Sequence, residues 1–107
     1  MRTLLFVLAT MTLLACSGPS RPECDYHTYS GAGDDVIDVS SSEGCTTATL
    51  THDGDRNFYI TPYGDDGDQV GVTLVNDIGP YQGTVRWNQD AATLEVVADG
   101  NWRIVVK

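Results

Sequence analysis

Two acidic turns hold the side-chain oxygens from which a calcium site could be built. These side chains are Asp53, Asp55, Asn57, Asp65, Asp66 and Asp68. The first turn has the spacing of the first three ligands of an EF-hand loop, but Phe58 stands where that loop needs glycine and Gly64 where it needs glutamate. An EF-hand is therefore excluded. We favour plain hairpin turns, and a weaker Ca²⁺ site on a β-sandwich stays open as the alternative; no other cofactor is expected.

Three tyrosines are candidates for contact with a ligand. Tyr59 and Tyr63 have the outward parity of their predicted strand, and Tyr81 follows a Gly-Pro turn. Exposed tyrosine stacks on sugar rings or anchors a protein interface. In so small a sandwich the simpler role is to cover the outer face of a sheet or to shield its edge. Trp87 and Trp102 are assigned first to the core.

A catalytic site is not predicted, because no nucleophile is placed with a base and an orienting group. The histidines are His27 and His52, and the serine run 40–42 lacks the Gly-x-Ser-x-Gly pattern of a nucleophile elbow. The 15 acidic residues allow so many carboxylate pairs that pairing carries no information. We therefore expect a protein without enzymatic activity.

The first sixteen residues have the pattern of an export signal. Arg2 is followed by an apolar run over residues 4–14, which is too short to cross a bilayer. The run ends at Leu13-Leu14-Ala15-Cys16, which resembles the lipobox of bacterial lipoprotein precursors, although Leu14 replaces the usual small residue. The resemblance implies acylation of Cys16, removal of residues 1–15 and attachment to the cell membrane or the outer membrane. An ordinary secretory signal with an incidental Cys16 is the alternative.

After Cys16 is lipidated, Cys24 and Cys45 remain, in a compartment where disulfides persist. We expect them to pair, which would stabilise the domain by roughly 3 kcal/mol. Their wide spacing and the lack of a Cys-x-x-Cys motif argue against a metal or redox pair. Residues 16–23, with two prolines, are predicted to be a flexible tether, and residues 24–107 to be the single folded domain.

The domain has the alternation of an all-β protein, with Gly, Asp and Asn clusters every few residues. It predicts a small antiparallel β-sandwich, jelly-roll-like, of about eight short strands, at residues 26–29, 36–39, 46–52, 57–63, 70–75, 83–88, 93–98 and 102–106. The inner face is predicted to comprise Ala48, Leu50, Phe58, Ile60, Val70, Val72, Leu74, Val85, Trp87, Leu94, Val96, Ala98, Trp102, Ile104 and Val106.

Three segments, 29–36, 78–85 and 98–104, carry a second resemblance. The first begins its strand with the pattern Ser-Gly-x-Gly-Asp, and the last has Asp-Gly-x-Trp. The chain from 26 to 106 resembles small, uncharacterised β-sandwich modules of exported bacterial proteins. The resemblance implies an accessory or binding domain, and it transfers no site residues.

The net charge of −9 argues against nucleic acid as a partner. We expect a lipid-anchored, non-enzymatic interaction or envelope-associated module with a protein or glycan partner. Two alternatives stay open. One is a glycan- or Ca²⁺-binding module, and the other is a surface-masking lipoprotein of phage or prophage type.

Overall fold

The computed structural model describes residues 23–39 and 42–107. The predicted signal peptide, the lipidation site Cys16, the tether up to residue 22 and two serines of the run 40–42 lie outside the described residues. Within these two segments every regular element is a β-strand, and there is no helix long and apolar enough to cross a membrane.

Eight strands form in the described chain. They are β1 (His27–Ala32), β2 (Asp35–Asp38), β3 (Thr47–His52), β4 (Asn57–Tyr63), β5 (Val75–Ile78), β6 (Tyr81–Arg86), β7 (Thr93–Val97) and β8 (Asn101–Val106). Burial alternates along β1, β3, β6, β7 and β8, so that each of these strands has one side that loses contact with water when two sheets pack. The predicted all-β class and the number of strands are confirmed.

The strands form two antiparallel four-stranded sheets. Sheet A has the order β1-β8-β3-β6, and sheet B has the order β2-β7-β4-β5. The pairs β4–β5, β3–β6, β2–β7 and β1–β8 are nested around the β4–β5 connection, as if one long hairpin had been rolled up. The further pairs β3–β8 and β4–β7 join these hairpins into the two sheets of a jelly roll.

The core lies between the two sheets and is built by the alternating side chains. β3 supplies Ala48 and Leu50, and β4 supplies Phe58 and Ile60, all fully buried. Trp87 and Trp102 are 4% and 3% exposed, so their assignment to the core is confirmed. Three residues predicted to face the core, Val70, Leu74 and Val85, are only partly buried against it. Sequence reasoning missed four core residues: Val39, Cys45, Val75 and Ala91.

The predicted strand 70–75 is wrong. The strand of this region is β5, which begins only at Val75, and Val72, assigned to the inner face, is 78% exposed. Gly71 has a φ of +67°, a left-handed conformation that breaks the extended backbone and with it the alternation of sides. Hydrogen bonds from Val70 N–H to Pro62 O and from Leu74 N–H to Ile60 O still hold the loop against β4.

The sandwich has two different ends. At one end β1 begins, β8 finishes and the predicted Cys24–Cys45 disulfide is formed, with 4.6 Å between the two Cα atoms. Because the predicted tether immediately precedes this end in the sequence, it is named the anchor end. At the opposite end four short connections, residues 33–34, 53–56, 79–80 and 98–100, each pass from one sheet to the other. These four connections are named the arches.

Candidate binding face

The acidic residues of the arches accept hydrogen bonds from neighbouring arches. The Asp99 carboxylate accepts from the backbone N–H groups of Asp55 (3.1 Å) and Arg56 (3.0 Å). Asp53 accepts from the backbone N–H (2.7 Å) and the side-chain Nδ2 (3.0 Å) of Asn101. These turns are rich in aspartate because their backbone donors have no strand partner and need an acceptor.

The same bonds favour the charged carboxylates. The side-chain and backbone N–H groups of Asn101 lower the pKa of Asp53 below its ordinary value. The backbone N–H of Arg56, followed by that of Asp55, lowers the pKa of Asp99. Both aspartates are therefore anionic at neutral pH and hold the arches together in that form.

His52 and Trp102 tie the remaining arches to this group. The buried His52 stacks on Phe58 with 4.4 Å between ring centroids, and its Nδ1 lies 3.0 Å from Gly79 O. Its Nε2 lies 3.4 Å from Asp99 Oδ1, a contact that lacks hydrogen-bond geometry. Trp102 Nε1 donates to Gly33 O at 2.8 Å. His52 thus has an evident role in positioning the arches.

The six candidate Ca²⁺ ligands are not brought into one site. Both oxygens of Asp53 accept bonds from Asn101, and Asp66 Oδ1 accepts from the N–H of Asp68 within its own turn (3.0 Å). Asp55 and Asn57 lie at the arches, whereas the turn containing Asp65 follows β4 at the anchor end. Over residues 23–39 and 42–107, no three His, Cys, Asp or Glu side chains are grouped to hold a metal ion. The geometry gives the Ca²⁺ alternative no support.

The three candidate tyrosines lie in two different places. Tyr59 and Tyr63 are half-buried on the outer face of sheet B, where Tyr63 Oη donates to Glu95 Oε1 at 3.3 Å. Burial, and then the charge of Glu95, raise the pKa of Tyr63. Tyr59 lines a groove of about 490 Å³ on that face. Tyr81 instead packs on the core side of β6, with its ring 5.9 Å from that of Phe58.

The outer face of sheet A is a polar surface that sequence reasoning missed; it is named the A face. It consists of Thr28, Ser30, Thr47, Thr49, Thr51, Gln82, Thr84, Arg86, Asn101, Arg103 and Val105, with Lys107 directly after β8. Strand pairing aligns Ser30, Arg103, Thr51 and Gln82 in one row across all four strands. The outward threonines at every second position of β3 were a signal in the sequence, but their neighbours on the other strands were not.

A groove of about 790 Å³ lies where the A face meets the arches. The side chains that line it include those of Ser30, Thr51, Asp53, Gln82, Asn101 and Arg103. In the part of the chain that the structure describes, the side chains of Ser30, Thr51, Gln82 and Arg103 make no hydrogen bond or ion pair with another residue. Their donors and acceptors are free to bind a ligand in place of water.

Charge is divided between the two sheets. The described strands of sheet A contain two arginines, Arg86 and Arg103, and no carboxylate. Those of sheet B contain Asp35, Asp38, Asp77 and Glu95 and no lysine or arginine. With Lys107, three of the four lysines and arginines of the described residues lie on the A face, and the fourth is Arg56 in an arch. An acidic protein thus presents one cationic face.

Comparisons of the chain with protein families, with curated proteins and with solved structures find no match. The resemblances to lipoprotein precursors and to exported β-sandwich modules therefore stay predictions.

Proposed function

We propose that the protein is a lipid-anchored, non-enzymatic binding module of the bacterial cell envelope, with the A face as its binding surface. The observation that carries the proposal is the accumulation of unpaired hydroxyl, amide and guanidinium groups on a sheet without carboxylates, in a chain of net charge −9. Four of the 15 acidic residues lie on the described strands, and all four belong to sheet B. Unpaired polar groups presented from paired strands are suited to binding a polar partner.

The position of the groove fits a binding module that is attached to a membrane through a lipid anchor. β8 runs six residues from the arches to the anchor end, a length of about 20 Å. The predicted acylated Cys16 precedes the anchor end in the sequence, and the groove lies at the opposite end of the domain. Two or three acyl chains hold such a protein at a membrane, since each buried methylene contributes about 0.8 kcal/mol.

The non-enzymatic part of the proposal is supported by the surroundings of the reactive side chains. Ser42 is buried, with 3% of its surface exposed, and Cys24 and Cys45 are joined in the disulfide. Among the described residues the buried histidine, His52, faces a backbone carbonyl and a carboxylate, contacts that hold its ring in place.

The anchor is tested by intact-mass analysis of full-length protein from cell membranes. Wild type is expected to begin at Cys16, to carry a diacylglyceryl group and to gain two protons on reduction. The variant Cys16→Ser is expected in the soluble fraction without a lipid mass, whereas the matched variant Cys45→Ser keeps the lipid and loses only the disulfide. An unacylated wild-type chain in the medium would overturn the anchor.

The binding surface is tested by photo-crosslinking in intact cells. A photoreactive amino acid replaces Gln82 on the A face in one strain and Asn76 on the outer face of sheet B in another. We expect crosslinked envelope material from position 82 and none, or much less, from position 76. Equal crosslinking at both positions, or none at position 82, would contradict an A-face binding module.

A further inference from the structure

We infer that the ligand of the A face is an acidic polysaccharide, a chain of sugars that carries a carboxylate on its repeating units. This inference rests on the proposed function and names the partner of the same face. It follows from the spacing of the three cations, from the unpaired polar side chains in the row of Arg103 and from the distance between the A face and the carboxylates of sheet B.

The cations of the A face are separated rather than clustered. Arg103 and Lys107 lie on the line of β8 and are four residues apart, which is about 13 Å along a strand. Arg86 pairs with Thr47, whose other neighbour is Lys107, so that Arg86 and Lys107 are two strand spacings apart, about 10 Å. Such spacing suits a polymer with repeated anionic groups better than one small anion. A guanidinium also binds a carboxylate through two parallel hydrogen bonds.

The groups beside these cations match sugar hydroxyls. Around Arg103 lie the hydroxyls of Ser30 and Thr51 and the amide of Gln82, each of which both donates and accepts hydrogen bonds. A sugar hydroxyl has the same double capacity, so one ring can bond to several of these side chains. Thr49 and Thr84, which lie in the next row, bond to each other at 3.0 Å and form a continuation of the polar surface.

The four carboxylates on the strands of sheet B do not prevent an anion from binding here. The carboxylates of sheet B lie beyond a second sheet that packs about 10 Å away, and charges interact weakly beyond about 8 Å at physiological salt. Asp53 is the carboxylate that lines the groove, at its rim beside the arches. Its two oxygens already accept bonds from Asn101, and the path from Arg103 to Lys107 leads away from it.

Two other anionic partners could meet the same cations, namely an anionic membrane and the acidic sheet B of a second copy. A flat bilayer would leave the groove unfilled, and a second protein would bring few hydroxyls to Ser30, Thr51 and Gln82. The polysaccharide fills the groove, its carboxylates pair with the cations, and its hydroxyls bond to the polar side chains. The other two partners are separate outcomes of the experiment.

The test measures binding by calorimetry with full-length protein in neutral detergent micelles. The probe is octagalacturonate, and maltooctaose is the neutral sugar of the same length. We expect octagalacturonate to bind, with affinity that falls as salt rises, and maltooctaose to bind much more weakly. The double variant Arg86→Gln/Arg103→Gln should lose about tenfold or more in affinity, and the matched control Arg56→Gln should stay within about twofold.

Several results would overturn the inference. These are no binding of octagalacturonate, equal binding of maltooctaose, stronger binding of polyphosphate, or equal losses in the double variant and in Arg56→Gln. Stronger binding to phosphatidylglycerol vesicles, or self-association that the double variant abolishes, would assign the face to a membrane or to a second copy. If octagalacturonate does not bind while position 82 still crosslinks, the ligand class is wrong and the proposed function stands. If position 82 does not crosslink, both the ligand class and the proposed function are wrong.

Discussion

The arches and the A face are both polar, but they use their polar groups in opposite ways. In the arches, Asp53 accepts two hydrogen bonds from Asn101, Asp99 accepts two from backbone N–H groups of another arch, and His52 faces a carbonyl. On the A face, Arg103 and Gln82 make no bond to another described side chain. Paired polar groups hold the fold, whereas unpaired ones contribute little to it and are available to a ligand. The outer face of sheet B lies between these cases, since Tyr63 pairs with Glu95.

The largest loss of stability is expected when two arches can no longer meet. A Cβ atom on Gly100 would lie 2.5 Å from the backbone N of Gly54 and 2.6 Å from Asp53 Oδ1. Gly100→Ala should therefore cost about 1–3 kcal/mol, and urea unfolding followed by tryptophan fluorescence measures it. Ser30→Ala on the A face is the matched small change and should stay within about 0.5 kcal/mol. Equal effects of the two changes would refute the distinction between the regions.

Acid should weaken the arches through their carboxylates. Folding lowers the pKa of Asp99, so its contribution to stability is fully present above the ordinary pKa of 3.8 and is lost as the pH falls through the folded value. Asp99→Asn should unfold at a lower temperature than wild type at about pH 6, and the difference should shrink towards about pH 3. Thermal melts at both pH values measure this.

The control for the acid experiment is Asp38→Asn. Asp38 is an exposed carboxylate of sheet B whose side chain forms no hydrogen bond with the described residues. Its replacement should leave the melting temperature at both pH values close to that of wild type. The role given to Asp99 would fail if the two variants lost stability to the same extent at about pH 6.

A smaller effect is expected on sheet B from Tyr63→Phe. The change removes the bond from Tyr63 Oη to Glu95 and leaves the ring in place. Because the residue is partly exposed, the melting temperature should fall slightly, and by less than in Asp99→Asn. Tyr59→Phe removes a hydroxyl from the same face without that bond and serves as the control. A larger fall in Tyr59→Phe would contradict the pairing on this face.

The smallest effect on stability is expected on the A face. Arg86→Gln/Arg103→Gln removes two exposed guanidinium groups without described partners, so the free energy of unfolding should change by less than about 0.5 kcal/mol. Urea unfolding of this variant beside wild type measures it. A loss as large as that of Gly100→Ala would mean that these arginines support the fold, and the binding data would then need another explanation.

Local patterns in the sequence determined which residues form strands and which side of most strands is buried. Alternation placed Leu50, Phe58 and Ile104 in the core, and the two cysteines left after Cys16 allowed one pairing. The alternation failed as a guide at 70–75, because Gly71 has a left-handed φ that interrupts the extended backbone, and composition does not reveal that φ. Alternation reports only the two sides of one strand.

The tertiary structure alone decided which strands became neighbours. Ser30, Thr51, Gln82 and Arg103 are spread over 74 positions of the chain, and they form one row only because β1, β8, β3 and β6 pair in that order. The same order collected the cations on one sheet and brought Asp99 to the N–H groups of Asp55 and Arg56. Each such contact joins residues far apart in sequence, so its partner is fixed by the packing of the whole chain and leaves no local pattern.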